Sequence, residues 1–273
     1  MNIICEDFNY IQYFLKEKAG IAIEEDKRYL VESRLSPILK NEGFSNYKDL
    51  ILKLKFERFG DFHQKVIEAM TTNETSFFRD SHPFESFKNI IIPELIEKKK
   101  LERGLNIWSA ACSTGQEAYS LAMIINELSH NFYQWDIKIY ASDISKEVIE
   151  KAEKGSYNQI EVNRGMPLSM LSKYFRNEND HWKIKDEIKK MVNFMQVNLV
   201  CQWPDMPRQD VIFLRHVLIY FDLHTRREIF DKIKKILNPD GYLILGVGET
   251  TNNIHDSFES IHIDKTICYR LKR

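Results

Sequence analysis

The chain has 273 residues, 43% of them hydrophobic and 29% charged, enough for one large domain or two modest ones with a packed core. Its formal net charge of −1 supplies no global field that would draw it to nucleic acid or to an anionic membrane. The longest apolar stretches, such as "VIFLRHVLIYF", carry charge and fall short of the roughly 20 residues of a membrane span.

The N-terminus, "MNIICEDFNY", lacks a basic region followed by an apolar core, so no signal peptide is expected and the protein is expected in the cytoplasm. Residues 1–72 read as a helical module. Phe8, Ile11, Phe14 and Leu15 share one face of a first helix that stops at Gly20. Ser36 and Pro37 suggest the N-cap and first-turn proline of a further short helix. Ser45 and Asp61 suggest caps for two more. Lys27, Arg28 and Arg34 fall at near-helical spacing on one side, which reads either as a docking face or as an ordinary solvated face. "EKKKLERG" (97–104) reads as a solvated helix end before a strand.

From residue 105 the pattern changes. "LNIWSAA", "IKIYASD", "VNFMQVN", "DVIFLRH" and "GYLILGV" are short apolar runs separated by amphipathic stretches. Strands alternating with helices predict a parallel sheet covered on both faces, with ligands outside the carboxyl ends of the strands. "HWKIKDEIKKMVNFMQ" (181–196) breaks the alternation and reads as a β-hairpin around Asp186-Glu187, an insert at about 178–192. "NPDG" (238–241) reads as a turn. Cys5, Cys112, Cys201 and Cys268 have no C-x-x-C spacing and read as buried, reduced thiols. The eight histidines lack H-E-x-x-H spacing, and no metal site is expected.

Three stretches carry candidate chemistry. In "WSAACSTGQEAYSLAM" (108–123) a small-residue turn joins strand to helix, yet it has neither the GK[ST] ending of a P-loop nor G-x-G-x-x-G. Glu117 stands where a phosphate would be repelled, so the ligand there is not an anion. Asp143 ends the second strand, where an acid can accept hydrogen bonds from both ribose hydroxyls of an adenosine; the competing reading is a helix N-cap beside Ser142 and Ser145. An adenosine without phosphates, joined to a cation that Glu117 would favour, fits S-adenosylmethionine. "TTNETSFFRD" (71–80) is either a linker plugged by Phe77 and Phe78 or a site in which Asn73 and Thr75 make short polar contacts and Arg79 grips a carboxylate. "RHVLIYFD" (215–222) closes the fourth core strand with Arg215, His216 and Tyr220.

Taken together, "TTNETSFFRD", "IWSAACSTGQEAYSLAM", "ASDISKEVIEKAEKGSY", "VNFMQVNL" and "DVIFLRHVLIYFD" resemble, in order and spacing, the CheR-type chemotaxis receptor glutamate methyltransferases. The resemblance implies an α/β protein: an N-terminal all-helical domain (1–72) and a class I, Rossmann-like methyltransferase domain (73–273) with a small inserted β-subdomain. It implies methyl transfer from S-adenosyl-L-methionine, leaving S-adenosyl-L-homocysteine, to glutamate side chains on cytoplasmic helices of methyl-accepting chemotaxis receptors, by a monomer with no nucleic-acid partner. It implies cofactor contacts from Asn73, Thr75, Arg79, Glu117, Asp143, Asn198, Leu199, Arg215 and His216, and assistance to methyl transfer from Arg79 and Tyr220. Three departures stand out: Gln116-Glu117-Ala118 for Glu-Glu-Pro, His216 for Asn, and "GVGET" for G-H-S-E. Two alternatives stay open, a related methyltransferase of another signalling system and a cofactor-binding module without turnover.

Overall fold

The computed structural model describes residues 3–131 and 134–272. Its first part is four helices: α1 (Cys5–Ala19), α2 (Arg28–Glu42), α3 (Tyr47–Phe56) and α4 (Asp61–Met70). Phe8, Ile11, Phe14 and Leu15 of α1 are buried with Val31 and Leu35 of α2, Leu50 of α3 and Val66 of α4 in one core. Gly20 ends α1 at φ 70°, and a Cβ there would come within 2.5 Å of Val200 and 2.9 Å of Phe221. Glycine is needed twice over, for the left-handed turn and for close approach to the sheet domain.

Three expected helix signals move. The break at Ser36-Pro37 does not occur, because α2 runs through Pro37. Val31, Leu35, Ile38 and Leu39 form one buried stripe across the proline, and that burial outweighs a missing backbone bond. Ser36 instead donates its hydroxyl to Glu32 O at 2.5 Å. Helix α3 is capped by Asn46, which accepts from Asp49 N–H, rather than by Ser45. Helix α4 begins after Gly60, whose N–H donates to His63 Nδ1, so Asp61 lies inside the first turn, where its charge suits the helix dipole. Cys5 and Cys201 are exposed, while Cys112 and Cys268 are buried, so two of the four expected buried thiols face solvent.

Arg34 points inward. Its guanidinium donates to Met70 O (2.7 Å), Thr71 O (2.8 Å) and Thr72 Oγ1 (2.8 Å), so it caps the carbonyls of α4 and holds the segment that follows. The expected docking face therefore loses one of its three cations. Lys27 pairs with Asp26 at 3.1 Å and Arg28 lies over the Phe8 ring.

Helices α5 (His82–Ser86) and α6 (Ile92–Lys98) lead into a seven-stranded sheet. Its strands are β1 (Gly104–Ala110), β2 (Asp136–Asp143), β6 (Val192–Gln196), β7 (Gln209–Leu214), β8 (Leu237–Leu245), β9 (Phe258–Ile263) and β10 (Thr266–Leu271). The order is β6-β2-β1-β7-β8-β10-β9, parallel except that β10 runs antiparallel to β8 and β9. Side chains alternate between two cores, as a doubly covered sheet requires: Val211 and Phe213 face one, Ile212 and Leu214 the other. Helices α7 (Gln116–Glu127), α8 (Lys146–Lys154) and α12 (Leu223–Ile236) connect the strands. The chain leaves β1 in one direction for β2 and β6 and in the other for β7 and β8, so the switch point lies between β1 and β7. "NPDG" is not a separate turn. Residues 238–241 bulge out of β8 while Leu237 already pairs with Gln209, and buried Asp210 holds the bulge through Asn238 Nδ2.

The insert is larger than a hairpin and turns earlier than expected. Between α8 and β6 lie β3 (Ser156–Asn158), α9 (Gln159–Asn163), α10 (Leu168–Tyr174), β4 (Phe175–Glu178), β5 (His181–Ile184) and α11 (Asp186–Lys189), with the strands in the order β3-β5-β4. The hairpin reverses at Asn179 (φ 58°) and Asp180, residue types that tolerate the left-handed conformation. Asp186 and Glu187 instead open a helical turn, whose first turn favours acids.

Among the described residues no helix is long and apolar enough to cross a membrane. The Arg34 clasp is worth about 1–2 kcal/mol for hydrogen bonds from a charged, part-buried group. Arg34→Ala should therefore lower the thermal midpoint by several degrees in calorimetry.

Candidate functional site

A cleft of about 970 Å³, counted together with the open solvent at its mouth, lies at the switch point. It gathers Asn73, Thr75, Arg79, Glu117, Asp143, Asn198, Leu199, Arg215, His216 and Tyr220. All ten residues singled out from the sequence line one cavity. They come from five segments: the irregular stretch after α4, the first turn of α7, the end of β2, the loop after β6, and the loop after β7.

The β1–α7 turn is built for close approach. Ala111 (φ 57°), Ser113 (φ 50°) and Gly115 (φ 91°) are all left-handed, and a Cβ on Gly115 would meet Ala152 Cβ at 2.8 Å. Ser113 N–H donates to Asp143 Oδ2 at 2.9 Å, and Ser145 N–H to Oδ1 at 3.0 Å. The cap of α8 is Ser145, whose hydroxyl accepts from Val148 N–H; Asp143 is not the cap. Burial raises the Asp143 carboxyl above its ordinary value, although its backbone hydrogen bonds pull the other way. The carboxylate, with about four acceptor sites, still has capacity for a hydroxyl donor.

Glu117 accepts from Ser109 Oγ (2.8 Å) and from Arg215 Nη1 (2.9 Å). Arg215, its side chain 2% exposed, also donates Nη2 to Arg79 O (2.8 Å) and to Asp80 Oδ2 (2.7 Å). Asp80 Oδ2 in turn meets His216 Nε2 at 2.8 Å. Burial would raise the Asp80 carboxyl, but the hydrogen bond to His216 and the Arg215 charge outweigh it and hold it below its ordinary value. Arg215 Nε is buried without a partner. His216 sits at φ 57°, a conformation in which Asn and His are both enriched. That shared tolerance accounts for His standing where the resembling family has Asn.

The 71–80 stretch turns out to be both plug and wall. Phe77 is fully buried, edge-on to Tyr157 at 5.0 Å, while Asn73, Thr75 and Arg79 line the cleft. Asn73 O accepts from Ser113 Oγ at 2.8 Å, and Arg79 Nη1 donates to Glu74 O at 2.8 Å. Asn198 spends its side chain on the fold, donating to Lys18 O (2.7 Å) and accepting from Val200 N–H (3.1 Å). Tyr220 is half-buried, and among the described residues its hydroxyl takes no hydrogen bond. Sequence reasoning missed Asp80, which lay in the quoted "FFRD", and the wall formed by Ala19, Ile21 and Met70 of the helical part, which no local signal announces.

The donor set fits a phosphate-free adenosine bearing a zwitterionic tail. Asp143 offers a carboxylate for a diol, Val197, Leu199, Ile144 and Ile21 offer apolar surface for a flat base, and Glu117, Arg215 and Arg79 offer both signs of charge for a tail. Residues 73–267 match the family model described as "CheR methyltransferase, SAM binding domain", and residues 6–71 match "CheR methyltransferase, all-alpha domain". Fold and match together define an S-adenosylmethionine-dependent methyltransferase. The chain is 37% identical over 270 residues to chemotaxis protein methyltransferase 1 of Pseudomonas aeruginosa, covering 97% of this chain and 98% of that one. It is 36% identical over 270 residues to chemotaxis protein methyltransferase Cher2 of Pseudomonas putida, covering 97% and 98%, and 35% identical over 255 residues to the chemotaxis protein methyltransferase of Borreliella burgdorferi, covering 92% and 90%. The chain belongs to the CheR methyltransferase family. Among solved structures it overlaps magnesium protoporphyrin IX methyltransferase of Synechocystis with a TM-score of 0.41 and 13% identity, over 87% of this chain and 96% of that one, a likeness too distant to bear on function.

Removing the Arg215 charge leaves Glu117 and Asp80 facing each other without their shared cation. Arg215→Met should cost about 3–5 kcal/mol of stability, read as a lower denaturant midpoint.

Proposed function

We propose that this methyltransferase esterifies glutamate side chains on the cytoplasmic helices of methyl-accepting chemotaxis receptors. The observation that carries the reading is the convergence, in one cleft, of an acid suited to a ribose with a cation and a phenol suited to a carboxylate, while His216 in the same lining is engaged by Asp80 rather than placed as a general base. A glutamate carboxylate, with an ordinary pKa of about 4.3, is already ionised at neutral pH. It needs aim rather than deprotonation. Bound S-adenosylmethionine would supply an activated methyl on a sulfonium.

In this reading Asp143 accepts the two ribose hydroxyls, Leu199 and the backbone around Asn198 flank the adenine, and Asn73 and Thr75 close the cleft from the helical side. Glu117 and Arg215 form a charge-balanced pair beside the tail, with Arg215 presenting its guanidinium edge. Arg79 holds either the tail carboxylate or the incoming glutamate. Tyr220 donates its hydroxyl to one oxygen of that glutamate and turns the other toward the methyl. The cleft walls exclude water and keep nucleophile, methyl and leaving sulfur in line. The helical unit (1–72) would serve receptor docking and residues 73–273 the chemistry, within the cytoplasm. The family relatives named for chemotaxis support this assignment over another signalling system.

Incubation with labelled S-adenosylmethionine and receptor-rich membranes should give base-labile label on a receptor band; label that resists mild base, or none, would overturn the glutamate ester. Asp143→Ala should weaken S-adenosylhomocysteine by about 1.5–3 kcal/mol in calorimetry, and unchanged affinity would remove the ribose role. Tyr220→Phe should lower kcat while leaving cofactor affinity unchanged, as expected for an interaction made in the transition state. Arg79→Ala should lower both kcat and cofactor affinity if it holds the tail, and should lower kcat or raise the receptor KM, with cofactor affinity intact, if it holds the glutamate.

A further inference from the structure

Outside the cleft, one carboxylate gathers three backbone amides. Glu249 Oε2 accepts from His216 N–H and from Gly246 N–H, each at 2.8 Å, and Oε1 from Ile219 N–H at 3.3 Å. Two of those amides belong to the loop after β7, which carries Arg215 at its start and His216 and Tyr220 within it. The third belongs to the end of β8. The loop "GVGE" is shaped to allow this. A Cβ on Gly246 would lie 2.6 Å from His216 N and 2.7 Å from Glu249 Oε2, and Gly248 takes φ 81° to turn the chain back. Glu249 itself does not line the cleft. It stands behind the loop that lines the cleft and meets it through its backbone N–H groups.

We propose that Glu249 is the positioning residue of the catalytic loop, fixing His216 and Ile219 so that Tyr220 projects into the cleft. This rests on the proposed role of Tyr220. The loop needs such a clamp because His216 is left-handed and its backbone N–H has no ladder partner: β7 ends at Leu214. An unmet amide there would cost free energy, and a carboxylate that accepts several amides is a strong acceptor. The "GVGET" stretch, which departs from G-H-S-E, still carries both Gly246 and Glu249.

The test is geometric. Glu249→Gln retains a carbonyl oxygen that can accept the two 2.8 Å bonds, whereas Glu249→Asp keeps the charge but is one methylene too short. In full-length enzyme, the amides of His216, Gly246 and Ile219 should exchange with deuterium faster in Glu249→Asp and Glu249→Ala than in wild type; in Glu249→Gln those of His216 and Gly246 should stay near the wild-type rate, while that of Ile219, which then faces an NH2 group, should exchange faster. The same two variants should lose kcat by about 10- to 100-fold, the cost of misplacing a reacting group by about 1 Å, with S-adenosylhomocysteine affinity unchanged; Gln should restore turnover. Protected amides in the Asp variant, or a Gln variant as slow as Ala, would overturn the proposal. Loss of cofactor affinity in step with kcat would overturn it too. A wild-type enzyme that leaves receptor glutamates unmodified would instead refute the proposed substrate, and the exchange rates would still decide the clamp.

Discussion

The site hangs on one buried cation. The Arg215 guanidinium ties the loop after β7 to Glu117 on α7 and to Arg79 and Asp80 after the helical unit, three segments distant in sequence. A guanidinium taken out of water must find partners in fixed directions, so its neighbours cannot drift without stranding it. Its forked geometry also dictates their spacing. Glu117 takes one terminal nitrogen and the 79–80 backbone and side chain take the other. Asp80 passes the constraint on to His216. A lysine could balance the charge, but its three donors diverge from a single atom and lack the planar fork that spaces the partners here.

The second constraint is the way Asp143 is seated. Two amides, from the turn after β1 and from its own turn, grip one oxygen each. That fixes the carboxylate plane before any ligand arrives. Its burial keeps it dry, and dryness raises both the cost of its charge and the value of any donor that meets it. The turn itself has the left-handed residues that elsewhere cradle phosphate, yet its amide goes to an aspartate and its first helical residues carry an acid. The same backbone device here meets an aspartate of its own chain and an acid in the helix that follows.

Much of this was legible in the sequence, for identifiable reasons. The strands β1, β2, β7 and β8 are buried on both faces, so they read as apolar runs, and their carboxyl ends locate the cleft by topology alone. Charged residues at a strand end or at the start of the helix that follows are conspicuous because they interrupt apolar runs, which is why Asp143, Arg215 and Glu117 could be named. What was not legible depends on contacts between distant segments. Arg34 looks like a surface cation until α4 brings its carbonyls alongside. Pro37 looks like a helix start until the core stripe on either side of it is counted. The insert was placed too late because Asp186-Glu187 resembles a turn as much as a helix start, whereas the Asn179-Asp180 pair that makes the reversal lay just before the alternating stretch. Glu249 was visible only as a mismatch, since a residue that acts on backbone leaves no partner side chain to pair it with.

The seam between the two units has a further consequence. Ala22 N–H donates to Tyr220 O at 2.9 Å, Ile21 bridges to Phe221, Asn198 reaches Lys18 O, and Lys16 pairs with Asp222 at 2.8 Å. Ala19 and Ile21 are thereby part of the cleft wall. The boundary between folding units and the boundary of the ligand site do not coincide. Residues 73 onward hold the sheet and its two cores, but a fragment cut there would present a ligand cleft with one side missing and the underside of Tyr220 in water. By the same geometry, a partner that tilts α1 on docking pulls on the backbone of Tyr220 itself. If the helices engage a macromolecule while the sheet holds a small molecule, the two events would be linked through these few main-chain atoms, and linkage of that kind runs equally in both directions.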